Sequence, residues 1–399
     1  MRTKVDVSLQ KKDATKLKAG YPLIEKKALS SQALNASEGA VLYVHDENNY
    51  YIGTGYYGKQ NKGIGWIVSY NPSEEIDDQV FFQKKFQAAF EKRNDYFDQA
   101  ETTAFRLFNG EGDGIGGLSI DYFSGYLVIN WYSEGIYSFK QNILKALDSI
   151  GEFQGIYEKK RFDHKGKYME DDDFIKGTEA PAPLIIKENN IQYAVYLNDG
   201  AMVGIFLDQK DVRKLIRDKY ANGKTVLNTF SYTGAFSVAA ALGGATTVSV
   251  DLAKRSDEKT KEQFILNGLN PEEHEIRVMD VFDYFKYAKR KSIQYDMVIL
   301  DPPSFARSKK HVFRSAKDYP KLLQQAIEIT KDKGIIVAST NNASFSMKKF
   351  QQFIKEAFEQ TNQTFKIHEE RSLPKDFVYC KEYKESNYLK VVVIEVLAK

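Results

Sequence analysis

In the stretch YDMVILDPPSF, residues 295–305, four apolar residues run directly into an acid, two prolines and an aromatic ring. Met297-Val298-Ile299-Leu300 has the length and composition of a short buried strand. Pro302 and Pro303 cannot donate to a ladder, and each confines the residue before it to extended backbone. The chain must therefore leave the sheet stiffly at the strand's carboxyl edge, where open α/β sheets place their ligands. Asp301, Pro302, Pro303 and Phe305 then bring a carboxylate, a rigid backbone and a ring to one spot. That suits gripping a flat polar ring and placing one of its edge atoms. A proline-stopped strand of any α/β enzyme is the plainer reading, and a second motif upstream weighs against it.

That motif is VLNTFSYTGAFSVAAALGGATTVSVDLAKRS, residues 226–256. Val226-Leu227 ends a strand, 228–234 is a polar turn, and 235–242 has helix-forming content. Gly243-Gly244 stops the helix, and Thr247 to Val250 is a second strand ending at Asp251. This is one βαβ unit of about 30 residues. A turn opening onto a helix, with an acid about 20 residues on, is a nucleotide-binding arrangement in which the acid receives ribose hydroxyls. Here only Gly234 lies in the turn, among Asn228, Phe230, Tyr232 and Phe236. A pyrophosphate needs several bare glycines for close approach. A methionine-derived cofactor carries no phosphate, so S-adenosylmethionine is favoured over a nicotinamide dinucleotide. By itself the loop is a weak signal.

Further acids strengthen it. Arg277-Val278-Met279 leads to Asp280, with Val281 and Phe282 next. Asp251, Asp280 and Asp301 each follow an apolar segment in successive βα units, so right-handed crossovers line them along one crevice. Asp251 is read as taking ribose hydroxyls, Asp280 as accepting from the adenine amino group, and Asp301 as facing the methyl-transfer centre. Each alone is more often a helix cap than a ligand.

At 399 residues, two to four domains are expected. Net charge is +3, but unevenly spread: residues 1–27 hold eight Lys/Arg against three Asp/Glu, and 307–321 hold six against one. Both are candidate phosphate-contacting surfaces, with solvated faces as the bland alternative. One cysteine excludes a disulfide framework and a cysteine zinc cluster, and the five histidines (45, 164, 274, 311, 368) lack metal-ligand spacing, so no metal is expected. With no signal peptide and no membrane-length apolar run, a soluble, cytoplasmic protein is expected. Tyr and Phe total 51 and could serve base stacking, although most will be core.

Residues 1–72 read as short strands of a small β-barrel, with a hairpin turn at Asp46-Glu47-Asn48-Asn49. Residues 73–183 read as an α+β module with helices near 77–94 and 136–150. The acidic run 169–176 and Pro181/Pro183 mark its end. The βαβ series fills 184–399. The Gly-rich NGEGDGIGG, 109–117, imitates a phosphate loop, but flanking strands and the lack of a Lys-Ser/Thr pair favour a hairpin.

AFRLFNGEGDGIGGLSIDYFSGYLV, GIFLDQKDVRKLI, the 226–256 motif and DMVILDPPSFARSK together resemble the bacterial large-subunit (23S) ribosomal RNA methyltransferase family with an N-terminal PUA domain. The first 72 residues match more weakly, through Gly20-Tyr21-Pro22 and IGTGYYG. The resemblance implies an α/β protein: a Rossmann-like class I methyltransferase domain preceded by a PUA-like RNA-binding β-barrel and an α+β middle domain. It also implies that Phe206, Asp208 and Gln209 help close over the cofactor. From the residues alone, Phe206 could stack on adenine or be core, and Asp208 could merely cap a helix.

Methylating carbon 5 of cytosine needs a nucleophile, because a thiolate must first add to the ring. Family members assigned that reaction carry a Cys after the DPP helix. Here that segment, GIIVASTNNASFSMKKF at 334–350, has none and holds Asn341-Asn342, closer to the guanine-N7 branch. Nitrogen 7 has its own lone pair, so positioning should suffice, and Asn can bond a purine edge. A simple loop turn is the alternative. The expectation is an S-adenosylmethionine-dependent methyltransferase of 23S rRNA or a large-subunit precursor, with a ring nitrogen favoured, no membrane partner and a homodimer left open. The rivals are a cytosine-C5 enzyme using Cys380, a non-catalytic RNA-binding factor, and a nicotinamide oxidoreductase.

Overall fold

The computed structural model describes residues 2–29, 35–60, 63–162, 173–307 and 312–398. His164, His311 and positions 169–172 of the acidic run lie outside them, as do positions 308–311 of the basic strip. Two compact units divide the chain. Met1–Ile186, Val195–Val203 and Lys375–Ser386 form one, and Lys187–Ala194, Gly204–Pro374 and Asn387–Lys399 the other. This division does not separate 1–72 from 73–183.

In the first unit, short alternating runs form strands Lys4–Ser8, Leu23–Ile24, Val41–His45, Tyr51–Tyr57 and Gly65–Ser69, hydrogen-bonded in the order first, third, fourth, fifth, second. Val7, Leu42, Val44 and Ile67 pack with Leu17 of helix Lys11–Lys18. The hairpin turn at 46–49 is built by Asp46, whose Oδ1 accepts from Asn48 N and Tyr50 N at 2.9 Å each, with Asn49 left-handed at φ 63. A second sheet runs Phe174–Gly177, Gly155–Lys160, Tyr126–Trp131, Leu118–Phe123, Ala104–Asn109 in spatial order. Helices Gln79–Glu91 and Lys140–Ile150 contribute Phe82, Phe86, Ile143 and Leu147 to its core. The Gly-rich 109–117 segment is a hairpin connection: Asn109 pairs opposite Ser119, and Gly114 and Gly117 take φ of 93 and 82.

Both expected helices of this unit are interrupted. The first stops at Glu91, because the buried Arg93 guanidinium is drawn onto Asp113 at 2.7 and 2.9 Å; a separate turn, Asn94–Phe97, follows. The second breaks into Glu134–Tyr137 and Lys140–Ile150 at Ser138, whose hydroxyl turns back onto Gly135 O at 2.7 Å.

The second unit holds one seven-stranded sheet. Its strands are β1 (Thr225–Thr229), β2 (Thr246–Asp251), β3 (Glu275–Val278), β4 (Tyr295–Leu300), β5 (Thr330–Thr340), β6 (Thr364–Arg371) and β7 (Lys390–Leu397). Their order is β3-β2-β1-β4-β5-β7-β6. The first five strands pair in parallel, and β7 lies antiparallel between β5 and β6. Val298, Ile299, Ile336, Val337 and Val391–393 are fully buried, as continuous apolar runs covered on both faces must be. Helices α1 (Ala235–Leu242), α2 (Arg255–Leu266), α3 (Val281–Arg290), α4 (Ser315–Glu328) and α5 (Met347–Thr361) make the connections.

Candidate active site

The strand order reverses between β1 and β4, so their carboxyl ends flank the switch point, where open α/β sheets bind ligands. Asp301 follows the last residue of β4, half-buried. Gln209 Nε2 donates to its Oδ1 at 3.0 Å and to Ser339 Oγ at 2.7 Å. Burial first, and the Asp208 charge second, push the Asp301 pKa up to about 6. A carboxylate so placed gains from a cationic guest. Tyr319, on α4, donates its hydroxyl to Ser339 O at 2.8 Å, and burial lifts its pKa well above the usual range.

Phe206, Asp208 and Gln209 belong to one turn. Arg213, buried in a two-pronged pair with Glu188 at 2.7 Å each, also donates to Phe206 O at 2.7 Å and so anchors that turn. Asp208 accepts from Tyr388 OH at 2.8 Å. The Phe206 ring is 42% exposed, 5.5 Å from that of Tyr232.

After β1 the backbone makes a tight turn. Phe230 and Tyr232 take positive φ of 53 and 52, and Gly234 takes 78. Asp251 closes it, accepting from Tyr232 N at 2.8 Å and Ala253 N at 2.9 Å, while Thr233 Oγ1 donates to Gly204 O at 2.6 Å. Each Asp251 oxygen keeps a second lone pair. Asp280 caps α3 through Phe282 N at 2.9 Å, which uses one carboxylate oxygen. The Phe282 ring lies 6.3 Å from Phe230 and 5.8 Å from Phe313. Two expected cofactor residues turn inward. Asn228 is 1% exposed and spends its amide on Ser237 Oγ at 2.9 Å, because the polar β1–α1 junction must satisfy itself. Val281 packs in the core. Either can reach a ligand only through backbone.

On the other side, Pro302 is buried, Pro303 is exposed, and the Phe305 ring is 56% exposed where strand Phe305–Arg307 pairs with Val312–Arg314. Ser304 Oγ donates to Asn341 Oδ1 at 2.7 Å. Of the Asn pair, Asn342 is fully engaged: its Nδ2 donates to Ser315 Oγ and its Oδ1 accepts from Ser344 N, both at 2.8 Å. The exposed Asn341 makes no hydrogen bond through its amide N–H groups among the described residues. Ser339, Tyr388 and Tyr319 are site residues that the motifs did not flag, and Ser304 stands in the DPPSF corner without having been assigned a role. For Ser339 and Tyr388 the only signal is a hydroxyl at the edge of an apolar run, as in VAST and YLKVVV. Cys380 lies in the first unit, 4.0 Å from Gly20 O and 3.6 Å from Glu382 Oε2, and burial pushes its thiol pKa up.

Two buried polar atoms in the two turns, Gln209 Oε1 and Ser231 Oγ, have no hydrogen-bond partner among the described residues. With acids at the carboxyl ends of β2, β3 and β4 and aromatic side chains in the turn, the residues fit an adenosyl cofactor bearing positive charge better than a diphosphate.

A family model described as S-adenosylmethionine-dependent methyltransferase matches residues 106–378, and one for a PUA-like domain matches residues 7–70. A Bacillus subtilis (strain 168) protein, YwbD, provisionally named a ribosomal RNA large subunit methyltransferase, is 57% identical, with 98% of this chain and 99% of that protein covered. Ribosomal RNA large subunit methyltransferase I of Pseudoalteromonas translucida is 29% identical, with 95% and 96% covered. The crystal structure of SMU.776, provisionally described as a methyltransferase and complexed with SAH, superposes with a TM-score of 0.90 at 41% identity, covering 98% of this chain and 100% of that one.

Proposed function

Because the chain belongs to the S-adenosylmethionine-dependent methyltransferase family and carries a PUA-like domain, we propose that it methylates a base of large-subunit ribosomal RNA, at a ring nitrogen such as guanine N7. The cofactor supplies an electrophilic methyl group on a sulfonium. In this reading Asp251 receives the ribose hydroxyls, and Asp280 accepts from the adenine amino group. Phe206, Phe230, Tyr232 and Phe282 wall the adenosyl group over the Gly234 turn, with Asn228 and Val281 shaping the backbone beneath. Asp208, Gln209 and Asp301 face the positive charge.

Pro302 and Pro303 hold the corner rigid, Phe305 stacks on the acceptor base, and the amide of Asn341 bonds its edge. N7 attacks with its own lone pair, so no protein nucleophile and no proton removal is needed, and alignment carries the rate. The purine becomes cationic as the methyl arrives, and the Asp208 and Asp301 carboxylates favour that charge. The observation that carries the ring-nitrogen choice is the acceptor side itself. The segment 334–350 offers hydroxyls, amides and rings but no cysteine, and the chain's single cysteine, Cys380, has its pKa raised rather than lowered. The barrel at 1–72 is read as the RNA-binding module, 73–183 as the middle domain and 184–399 as the catalytic domain, working in the cytoplasm.

The test is nucleoside mass spectrometry of 23S rRNA from a deletion strain, with methylation restored by purified protein. Loss of one N7-methylguanosine is expected. Loss of a 5-methylcytidine would overturn the ring-nitrogen reading, and an unchanged nucleoside profile would overturn the RNA substrate.

A further inference from the structure

Lys390 begins β7 opposite Thr340, the last residue of β5. It is 5% exposed, and its ammonium donates to Tyr388 O at 2.6 Å and Asn342 O at 3.1 Å, with the Phe345 ring 5.4 Å away. Both carbonyls lie beyond the β5–β7 ladder, at the point where two chain segments part. A buried ammonium is costly unless its protons meet acceptors, and here it joins two backbones that nothing in the ladder joins. Each tied segment supports a group of the site, Asn341 on the acceptor side and, through Tyr388, Asp208 on the cofactor side. Tyr388 OH holds the Asp208 carboxylate at 2.8 Å. Asn342, locked by Ser315, Ser344 and a 3.2 Å bond from its own N–H to Thr340 Oγ1, fixes where Asn341 stands.

We propose that Lys390 and Tyr388 form a strut that sets the spacing between Asn341 and Asp208, which makes Lys390 a positioning residue for the acceptor base. The inference rests on the base-methylation reading. A methionine at position 390 would fill the space but could donate to neither carbonyl. The turn at 341–346 would then be free to shift, and an ångström of displacement costs up to about a hundredfold in rate.

Three measurements on full-length Lys390→Met, Lys390→Arg and Tyr388→Phe decide it: amide hydrogen exchange across 341–346, cofactor affinity by calorimetry, and single-turnover methylation of large-subunit rRNA. In Lys390→Met, exchange across 341–346 should quicken at least about tenfold, and methyl transfer at saturating cofactor should slow at least about tenfold, well beyond any loss of cofactor affinity that comes through Asp208. Lys390→Arg should recover most of the rate. Tyr388→Phe, which removes the hydroxyl that Asp208 accepts from but spares the Lys390 bonds, should slow transfer without altering that exchange. Unchanged exchange in folded Lys390→Met, or a rate loss matched by an equal loss of cofactor affinity, overturns the strut. If Lys390→Met does not fold, Lys390→Gln takes its place with the same expected quickening of exchange across 341–346, and unchanged exchange there overturns the strut. A wild-type protein that methylates no rRNA removes the base-methylation reading, while the exchange result still judges the strut.

Discussion

Asp301 shows how a single side chain sets a pH dependence. Its carboxyl titrates near 6 because burial and the Asp208 charge disfavour ionisation. Below about pH 4 it is protonated in both folded and unfolded chains and costs nothing. Between about 4 and 6 the unfolded chain ionises while the folded one holds its proton, so stability falls as pH rises; above that window the full cost stands, at most about 3 kcal/mol. Asp301→Asn should therefore melt higher than wild type at neutral pH, converge with it near pH 4, and bind the cofactor more weakly. Parallel melting curves across this range would count against the burial argument. Asp251→Ala removes an acceptor that braces the turn and is proposed to hold the ribose. Charged hydrogen bonds of about 1.5–3 kcal/mol each imply at least tenfold weaker cofactor binding, and unchanged affinity by calorimetry would remove the role. These acids are legible in the sequence because each ends an apolar run before a turn. Ser339, Tyr388 and Lys390 are not, since one polar residue at a strand edge has no spacing to betray it.

Elements were legible where burial is simple. Val298 to Leu300, Ile336 to Ala338 and Val391 to Ile394 are uninterrupted apolar runs, and all are interior strands. The two divided helices were not, because Arg93 is drawn to Asp113, distant in sequence, while Ser138 turns back onto Gly135 O and also accepts from the distant Arg2. The reversal of strand order at the switch point leaves no local mark either. Gly234 is a case where the need is visible in both. Its φ is 78, and a Cβ there would stand 2.5 Å from Thr260 Cγ2 on α2. Gly234→Ala should cost about 1–3 kcal/mol in urea unfolding and weaken cofactor binding. Adding Thr260→Ala should recover the steric share but not the share due to positive φ. A double variant no more stable than Gly234→Ala would show that the contact does not matter.

At the scale of the molecule, the two-unit division changes how RNA binding by the barrel has to be tested. Val41, Tyr56, Trp66 and Val68 belong to the same apolar core as Phe82, Phe86, Phe108 and Leu118, and a Cβ on Gly116 would meet the Trp66 ring at 2.1 Å. Removing residues 1–72 would strip that core, and each large buried side chain lost costs about 2–5 kcal/mol, so truncation should unfold the first unit and report nothing about RNA. Charge reversal on helix Lys11–Lys18 leaves the core alone. Lys16 and Lys18 are already paired, with Glu25 and Asp46, whereas Lys11 and Lys12 are exposed and make no salt bridge among the described residues. If this helix meets phosphates, Lys11→Glu with Lys12→Glu should weaken RNA binding and lower the magnitude of the salt slope by about 1.4, two contacts at about 0.7 each for a single strand. Cofactor affinity and melting temperature should stay as they are. An unchanged slope in the double variant would move the RNA footprint off this helix, leaving the strip around Arg314, Lys317 and Lys321 as the remaining basic surface for the same measurement.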